Sequence, residues 1–294
     1  MKKNNDLMLF QTNSKMNQPD YVFEPGTNHW VSNKQLLETV SDKPQFIRPI
    51  FFTGSSHINK APFRTELKSQ FCKGMPRKGS VISHGGSWGY SGGSIGSLWV
   101  RERMFETVQA ISHHPDYDGM VLVVVVGTND ASCIYTADEL DSFKNVYKEF
   151  CLKLLNSIPK LFLMPSSLLP RRKQEARPEA ESNMFYANEV VREVCLEIRS
   201  MTQHSKRIKF TDINHDLAEV EFLPDEDNCD RHLIPTLIPL DGMVSESDNV
   251  HLTEEGYKVM VSNILKTVNF IPGEDLGLPQ VKQNSAKRFK QSKD

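Results

Sequence analysis

The longest apolar run in the chain, Val121 to Val126, shows no polar alternation, which predicts a strand covered on both faces at the centre of a parallel sheet. It is too short to span a bilayer. The run stops at Gly127, Thr128, Asn129 and Asp130, small or polar residues that cannot continue a buried strand. They mark the carboxyl edge of the sheet, where open α/β sheets bind ligands. Taken alone, the same four residues fit a plain strand-to-helix turn equally well.

Upstream, Phe46 to Thr53 predicts a strand whose Pro49 weakens its first half, leaving Ile50, Phe51 and Phe52 buried before Gly54, Ser55, Ser56 and His57. A helix is expected over 62–72, from the spacing of Phe63, Leu67 and Phe71, and a short strand over 80–83. The stretch from His84 to Gly96 is the most glycine-dense and predicts a tightly turned backbone. Further helices are predicted over 97–111 and from Thr136, where Glu139 completes a capping box ahead of a stripe of Phe143, Tyr147, Phe150 and Leu154. Strand Leu161 to Met164, a helix over 183–201, a fifth strand Ile208 to Ile213, a long polar connection to Ser247 and a last helix over 254–269 complete the order. This alternation predicts an α/β fold, a three-layer sandwich on a parallel sheet of about five strands joined by right-handed crossovers. We expect one domain over 44–270, a loose N-terminal extension over 1–43 and a solvated basic tail over 271–294.

Composition narrows the class. With 38% hydrophobic and 24% charged residues in 294, the chain is ordinary for a soluble globular protein, and its net charge of −2 offers no global field for nucleic acid. Near the N-terminus the apolar run Leu7 to Phe10 is too short for a secretory signal, so an intracellular, cytoplasmic location is expected. The cysteines are five, widely spaced and without a Cys-x-x-Cys pair, which suggests neither a disulfide framework nor a zinc site. His113, His114 and Asp116, and likewise Cys229 with His232, match no metal-ligand spacing and read as polar loops. No metal and no cofactor is expected.

Four stretches fall on the expected ligand edge: Gly54 to Ser56, Gly89 to Gly92, Gly127 to Asn129, and Asp248 to His251. They supply a hydroxyl, a tight glycine turn, an amide donor and a carboxylate-imidazole pair, the inventory for acyl transfer. A serine alcohol attacks only when an imidazole accepts its proton, and the imidazole needs a carboxylate to hold its tautomer. The amides of Ser56 and Gly92 and the side chain of Asn129 are candidate donors to an oxyanion. The plainer readings make Ser56 a helix N-cap and Asp248 with His251 a solvated loop pair. Ser91 is a rival nucleophile, because Gly89, Ser91 and Gly93 fit a Gly-x-Ser-x-Gly elbow. That elbow needs a strand leading into the serine, and residues 84–89 look too polar and glycine-rich for one. His57 reads as a neighbour of Ser56 rather than its base.

On these blocks the sequence resembles the SGNH or GDSL-type serine esterases and lipases. Gly127-Thr128-Asn129-Asp130 and Asp248-Asn249-Val250-His251 match well, as does the glycine block from Gly89 to Ser94. The first block departs, with Ser55 where the family usually has aspartate, while Ser56 keeps the nucleophile position. The resemblance implies a flavodoxin-like sheet and a small ester substrate, acetyl or acyl. It gives Ser56 the role of nucleophile, His251 that of base, Asp248 that of orienting acid, and Gly92 and Asn129 those of oxyanion donors. It also takes in the Oskar-type branch, whose SGNH-like domain has lost catalysis and is associated with RNA, and the esterase-like domains of retrotransposon proteins. Under that alternative, Arg171, Arg172, Lys173 and Arg177 and the basic tail would contact RNA.

Overall fold

The structure, a computed structural model, describes residues 21–24, 29–32, 50–71, 86–114, 117–172, 180–224 and 233–269. Two short strands, β1 (Tyr21–Glu24) and β2 (His29–Ser32), form an antiparallel hairpin inside the stretch expected to be a loose extension. The central elements are β3 (Ile50–Gly54), α1 (Ala61–Phe71), β4 (Gly86–Gly89), α2 (Leu98–Ser112), β5 (Met120–Val125) and the short α3 (Thr128–Ala131). They continue with α4 (Ala137–Ser157), β6 (Leu161–Pro165), α5 (Ala180–Ser200), a hairpin of β7 (Ala218–Pro224) and β8 (Leu233–Pro239), and α6 (Glu254–Asn269).

The sheet is parallel throughout, in the order β4-β3-β5-β6. The Val-rich run is one of its two middle strands, and its side chains sort into two layers by the strand period of two. Leu122 and Val124 pack with Met104 of α2, Tyr147 and Leu154 of α4, and Val191 and Ile198 of α5. Val121, Val123 and Val125 pack with Phe63 of α1 and with Tyr257, Met260 and Ile264 of α6. The result is the expected three-layer α/β sandwich. Because the order places β3 inside β4, the connections leaving β3 and β5 diverge, and the carboxyl ends of those strands form the crevice where such sheets bind ligands.

Three sequence expectations need correction. First, the strand expected over 80–83 lies outside the described residues, and Gly86–Gly89, read above as too polar for a strand, is one. It sits at the end of the described sheet and is held by its backbone ladder to β3, so it needs no apolar pattern of its own. Second, Ile208 to Ile213 does not form a full fifth strand. It makes two parallel bridges to the β6 segment, Leu163 with Ile208 and Ser166 with Thr211. The interruption follows from Pro165: Thr211 donates to its carbonyl at 2.8 Å, but proline has no N–H to return to the partner chain, so the ladder breaks there. Third, the polar connection to Ser247 contains the β7–β8 hairpin. The capping box is present as predicted, with Glu139 N–H donating to Thr136 Oγ1 at 3.2 Å and Thr136 N–H to Glu139 at 3.0 Å. The tail, with Lys173, Arg177, Cys229 and His232, falls outside the described residues.

Candidate active site

The end of β3 fixes the first wall of the site. Gly54 approaches the β5 backbone so closely that a Cβ there would lie 1.9 Å from the Val125 carbonyl oxygen. This contact requires glycine, and it lets Ser55 N–H donate to that same carbonyl at 2.9 Å. A single 3₁₀ turn, Ser56–Asn59, follows and turns Ser56 toward the crevice. Asn59 anchors the turn to β4 by donating to the Gly89 carbonyl and accepting from Gly89 N–H at 3.1 Å.

The loop before α6 supplies the facing groups. Asp248 Oδ1 accepts the N–H of Val250 at 3.0 Å and that of His251 at 2.9 Å, a local turn that the three-residue spacing permits. Its Oδ2 lies 2.6 Å from His251 Nδ1, and His251 Nε2 lies 2.9 Å from Ser56 Oγ. Burial alone would raise the Asp248 carboxyl. The two N–H bonds and the imidazole outweigh it and hold the group at about 2, so it is an ionised acceptor at neutral pH. An ionised carboxylate facing Nδ1 puts the ring proton on Nδ1 and leaves the Nε2 lone pair toward the Ser56 hydroxyl. Residues 195 apart in sequence thus meet in one hydrogen-bonded line.

The remaining candidates surround this line. Gly92 stands in the pocket wall with φ +67, and its N–H, like that of Ser56, makes no hydrogen bond among the described residues. Asn129 Nδ2 donates to the Gly93 carbonyl at 2.9 Å, while its Oδ1 accepts from Arg171 at 2.7 Å. Arg171 has only donors, so it forces the amide oxygen toward itself and the amide nitrogen toward the glycine loop. The pocket enclosed by these groups has a volume of about 550 Å³. Ser91 also reaches it, but the imidazole is committed to Ser56.

Sequence reasoning passed over several residues that matter here. Asp130, treated as one more polar turn residue, holds the glycine loop: it accepts from Ser94 Oγ at 2.5 Å, from Ile95 N–H at 2.9 Å and from Gly96 N–H at 2.7 Å. His57 is buried beside His251, ring centroids 4.9 Å apart, with Nδ1 3.2 Å from the Tyr257 hydroxyl. Burial drives its pKa down to about 3, with the nearby Arg171 and Lys60 charges adding to the effect, so it is a neutral ring beside His251. Arg171, named above as a candidate RNA contact, is only 6% exposed. Arg172 pairs with Glu246 at 3.3 Å and donates its N–H to Asn249. Arg171 therefore braces the site from within the fold, whereas Arg172 is half-buried and its ion pair with Glu246 lies at the surface. Among the described residues no group of three or more His, Cys, Asp or Glu gathers as a metal site, and no helix is long and apolar enough to cross a membrane.

An α/β sandwich with these groups at the carboxyl edge of β3 and β5 places the protein in the hydrolase class of such folds. The family model of the GDSL-like lipases and acylhydrolases matches residues 59–264, and the chain belongs to that family. Ser56 lies just before the matched span. A search of curated protein sequences finds no match. Among solved structures, a GDSL-like lipase from Bacteroides thetaiotaomicron is 16% identical, with 80% of this chain and 95% of that one covered at a TM-score of 0.48. An acetylxylan esterase from Geobacillus stearothermophilus is 13% identical, with 78% and 97% covered at a TM-score of 0.46.

Proposed function

We propose that the protein is a serine ester hydrolase that works through Ser56, His251 and Asp248. The observation that carries this reading is the unbroken line from Ser56 Oγ to His251 Nε2 at 2.9 Å and from His251 Nδ1 to Asp248 at 2.6 Å. As Ser56 Oγ attacks the ester carbonyl, its proton passes to His251 Nε2, and Asp248 stabilises the imidazolium that forms. The carbonyl oxygen becomes an oxyanion that the N–H groups of Ser56 and Gly92, unbonded among the described residues, and the second Nδ2 proton of Asn129 can stabilise. His251 then protonates the departing alcohol, leaving an acyl-serine. Water attacks that intermediate with His251 again taking the proton, and the acid departs as Ser56 regains its hydroxyl. Serine at position 55 does not disturb this arrangement, because the Gly54–Val125 approach and the Asn59–Gly89 pair set the turn.

The test is labelling with a fluorophosphonate probe and turnover of short p-nitrophenyl esters. The adduct is expected on Ser56, and Ser56→Ala is expected to abolish both labelling and turnover. Ser91→Ala is expected to weaken labelling only by disturbing the glycine loop. An adduct mapped to Ser91 by mass spectrometry would overturn the assignment.

A further inference from the structure

The pocket wall carries charge that acyl transfer itself does not use. Among the residues lining it, Lys60 and Arg171 are cations and Asp248 is the one carboxylate. Both Asp248 oxygens are already engaged, by the N–H groups of Val250 and His251 and by the His251 imidazole. Lys60 follows directly on the 3₁₀ turn that carries Ser56 and has no ion-pair partner among the described residues. Arg171 is held on the same wall by its bond to Asn129. Val250 is the one aliphatic side chain among the lining residues. At about 550 Å³ the pocket also exceeds what an acetyl ester fills, leaving room beside the reacting carbonyl for a second group.

We propose that the natural substrate is a short ester bearing an anionic group, and that Lys60 and Arg171 hold that group while Ser56 attacks the ester carbonyl. The proposal rests on the hydrolase reading above. A fixed cluster of one sign in a concave wall raises the local concentration of oppositely charged substrate, and a guanidinium suits a planar carboxylate. The anion can lie on either side of the scissile bond. On the acyl side it belongs to a dicarboxylic half-ester, and on the alcohol side to an acylated hydroxy acid.

Two substrate pairs of matched size separate these cases. Mono-4-nitrophenyl succinate against 4-nitrophenyl butyrate tests the acyl side, and 4-acetoxybenzoate against 4-methylphenyl acetate tests the alcohol side. Once each pair is corrected for its uncatalysed hydrolysis, kcat/KM is expected to favour the anionic member by about tenfold or more in at least one pair. The ratio should fall toward one in Lys60→Met, checked for folding by circular dichroism, and should shrink as salt rises from about 0.02 to about 0.5 M, the range over which screening sets in. Ratios near one in both pairs, or a preference indifferent to both Lys60→Met and salt, would overturn the proposal. Calorimetric binding of succinate and 4-hydroxybenzoate to Ser56→Ala protein, with and without Lys60→Met, reads the anion site without turnover. Labelled Ser56 with no Lys60-dependent anion binding removes the anion site alone. Lys60-dependent binding with Ser56 unlabelled removes the hydrolase reading and leaves an anion-binding pocket.

Discussion

Two imidazoles stand 4.9 Å apart behind Ser56, and their surroundings give them different work. Burial pushes the Tyr257 hydroxyl pKa up, so it stays a neutral partner to His57 Nδ1 at 3.2 Å. His57, held at about 3 when folded against an ordinary 6.5, binds its proton in the unfolded chain first. The unfolded state therefore carries more protons between about pH 6.5 and 3, and stability rises with pH across that window. As pH falls from 6.5 the stability tied to a neutral His57 is progressively lost, with a limiting slope of about 1.4 kcal/mol per pH unit. Urea unfolding from pH 7 to 4 should show a shallower dependence in His57→Gln than in the wild type, and parallel curves would mean that His57 is not buried as a neutral ring. His251 answers to a different measurement. His251→Ala should lower turnover of a p-nitrophenyl ester by at least ~10³-fold, because Ser56 loses its base while substrate contacts remain. An unchanged rate in the variant would remove His251 from the reaction.

Among the elements, the loop between β4 and α2 is the one whose position depends on a single side chain. Asp130 receives two backbone N–H groups and a hydroxyl from Ser94, Ile95 and Gly96, and the loop it holds carries Gly92. Hydrogen bonds to a charged acceptor are each worth roughly 1.5–3 kcal/mol, and displacing a catalytic donor by about 1 Å can cost on the order of 10²-fold in rate. Asp130→Ala should therefore cut kcat roughly 10- to 100-fold through the misplaced Gly92. Circular dichroism should still report a folded sheet, and an undiminished kcat would show that other contacts hold the loop. The same region marks where sequence stops predicting structure. Helices α4 and α6 were legible because their stripes and their caps at Thr136 and Thr253 are local, set by neighbours three and four residues away. Strand β4 was not, since glycine, serine and tryptophan carry no strand pattern and the pairing comes from β3, more than thirty positions earlier in about the same register. The break at Pro165 was written in the sequence, but its effect falls on the partner segment 208–213, which gives no sign of it. Asp248 and His251 could be paired from the sequence because they are three apart, and the structure brings them to Ser56. The inward turn of Arg171 could not be read there, because it depends on where Asn129 lies after folding.

For the molecule as a whole, the site joins the first strand of the sheet to the loop before the last helix. Ser56 follows β3 and His251 precedes α6, and α6 closes one face of the sheet through Tyr257, Met260, Val261 and Ile264. The other face is closed by α2, α4 and α5, so each layer buries its own cluster against alternate residues of the same strand, β5. A strand shared by both cores couples the two layers, because neither can be exposed without uncovering one side of Val121 to Val125. Cooperative unfolding is the consequence. In a urea titration, fluorophosphonate labelling of Ser56 should be lost at the same midpoint as the far-ultraviolet circular dichroism of the sheet and helices. Leu122→Ala, which opens a cavity in the core under α2 and α4, should lower both midpoints together by an amount equivalent to ~2–5 kcal/mol. Labelling that disappears at clearly lower urea than the dichroism would show that the 248–251 loop and α6 detach from a sheet that remains folded, and that the two layers unfold as separate units.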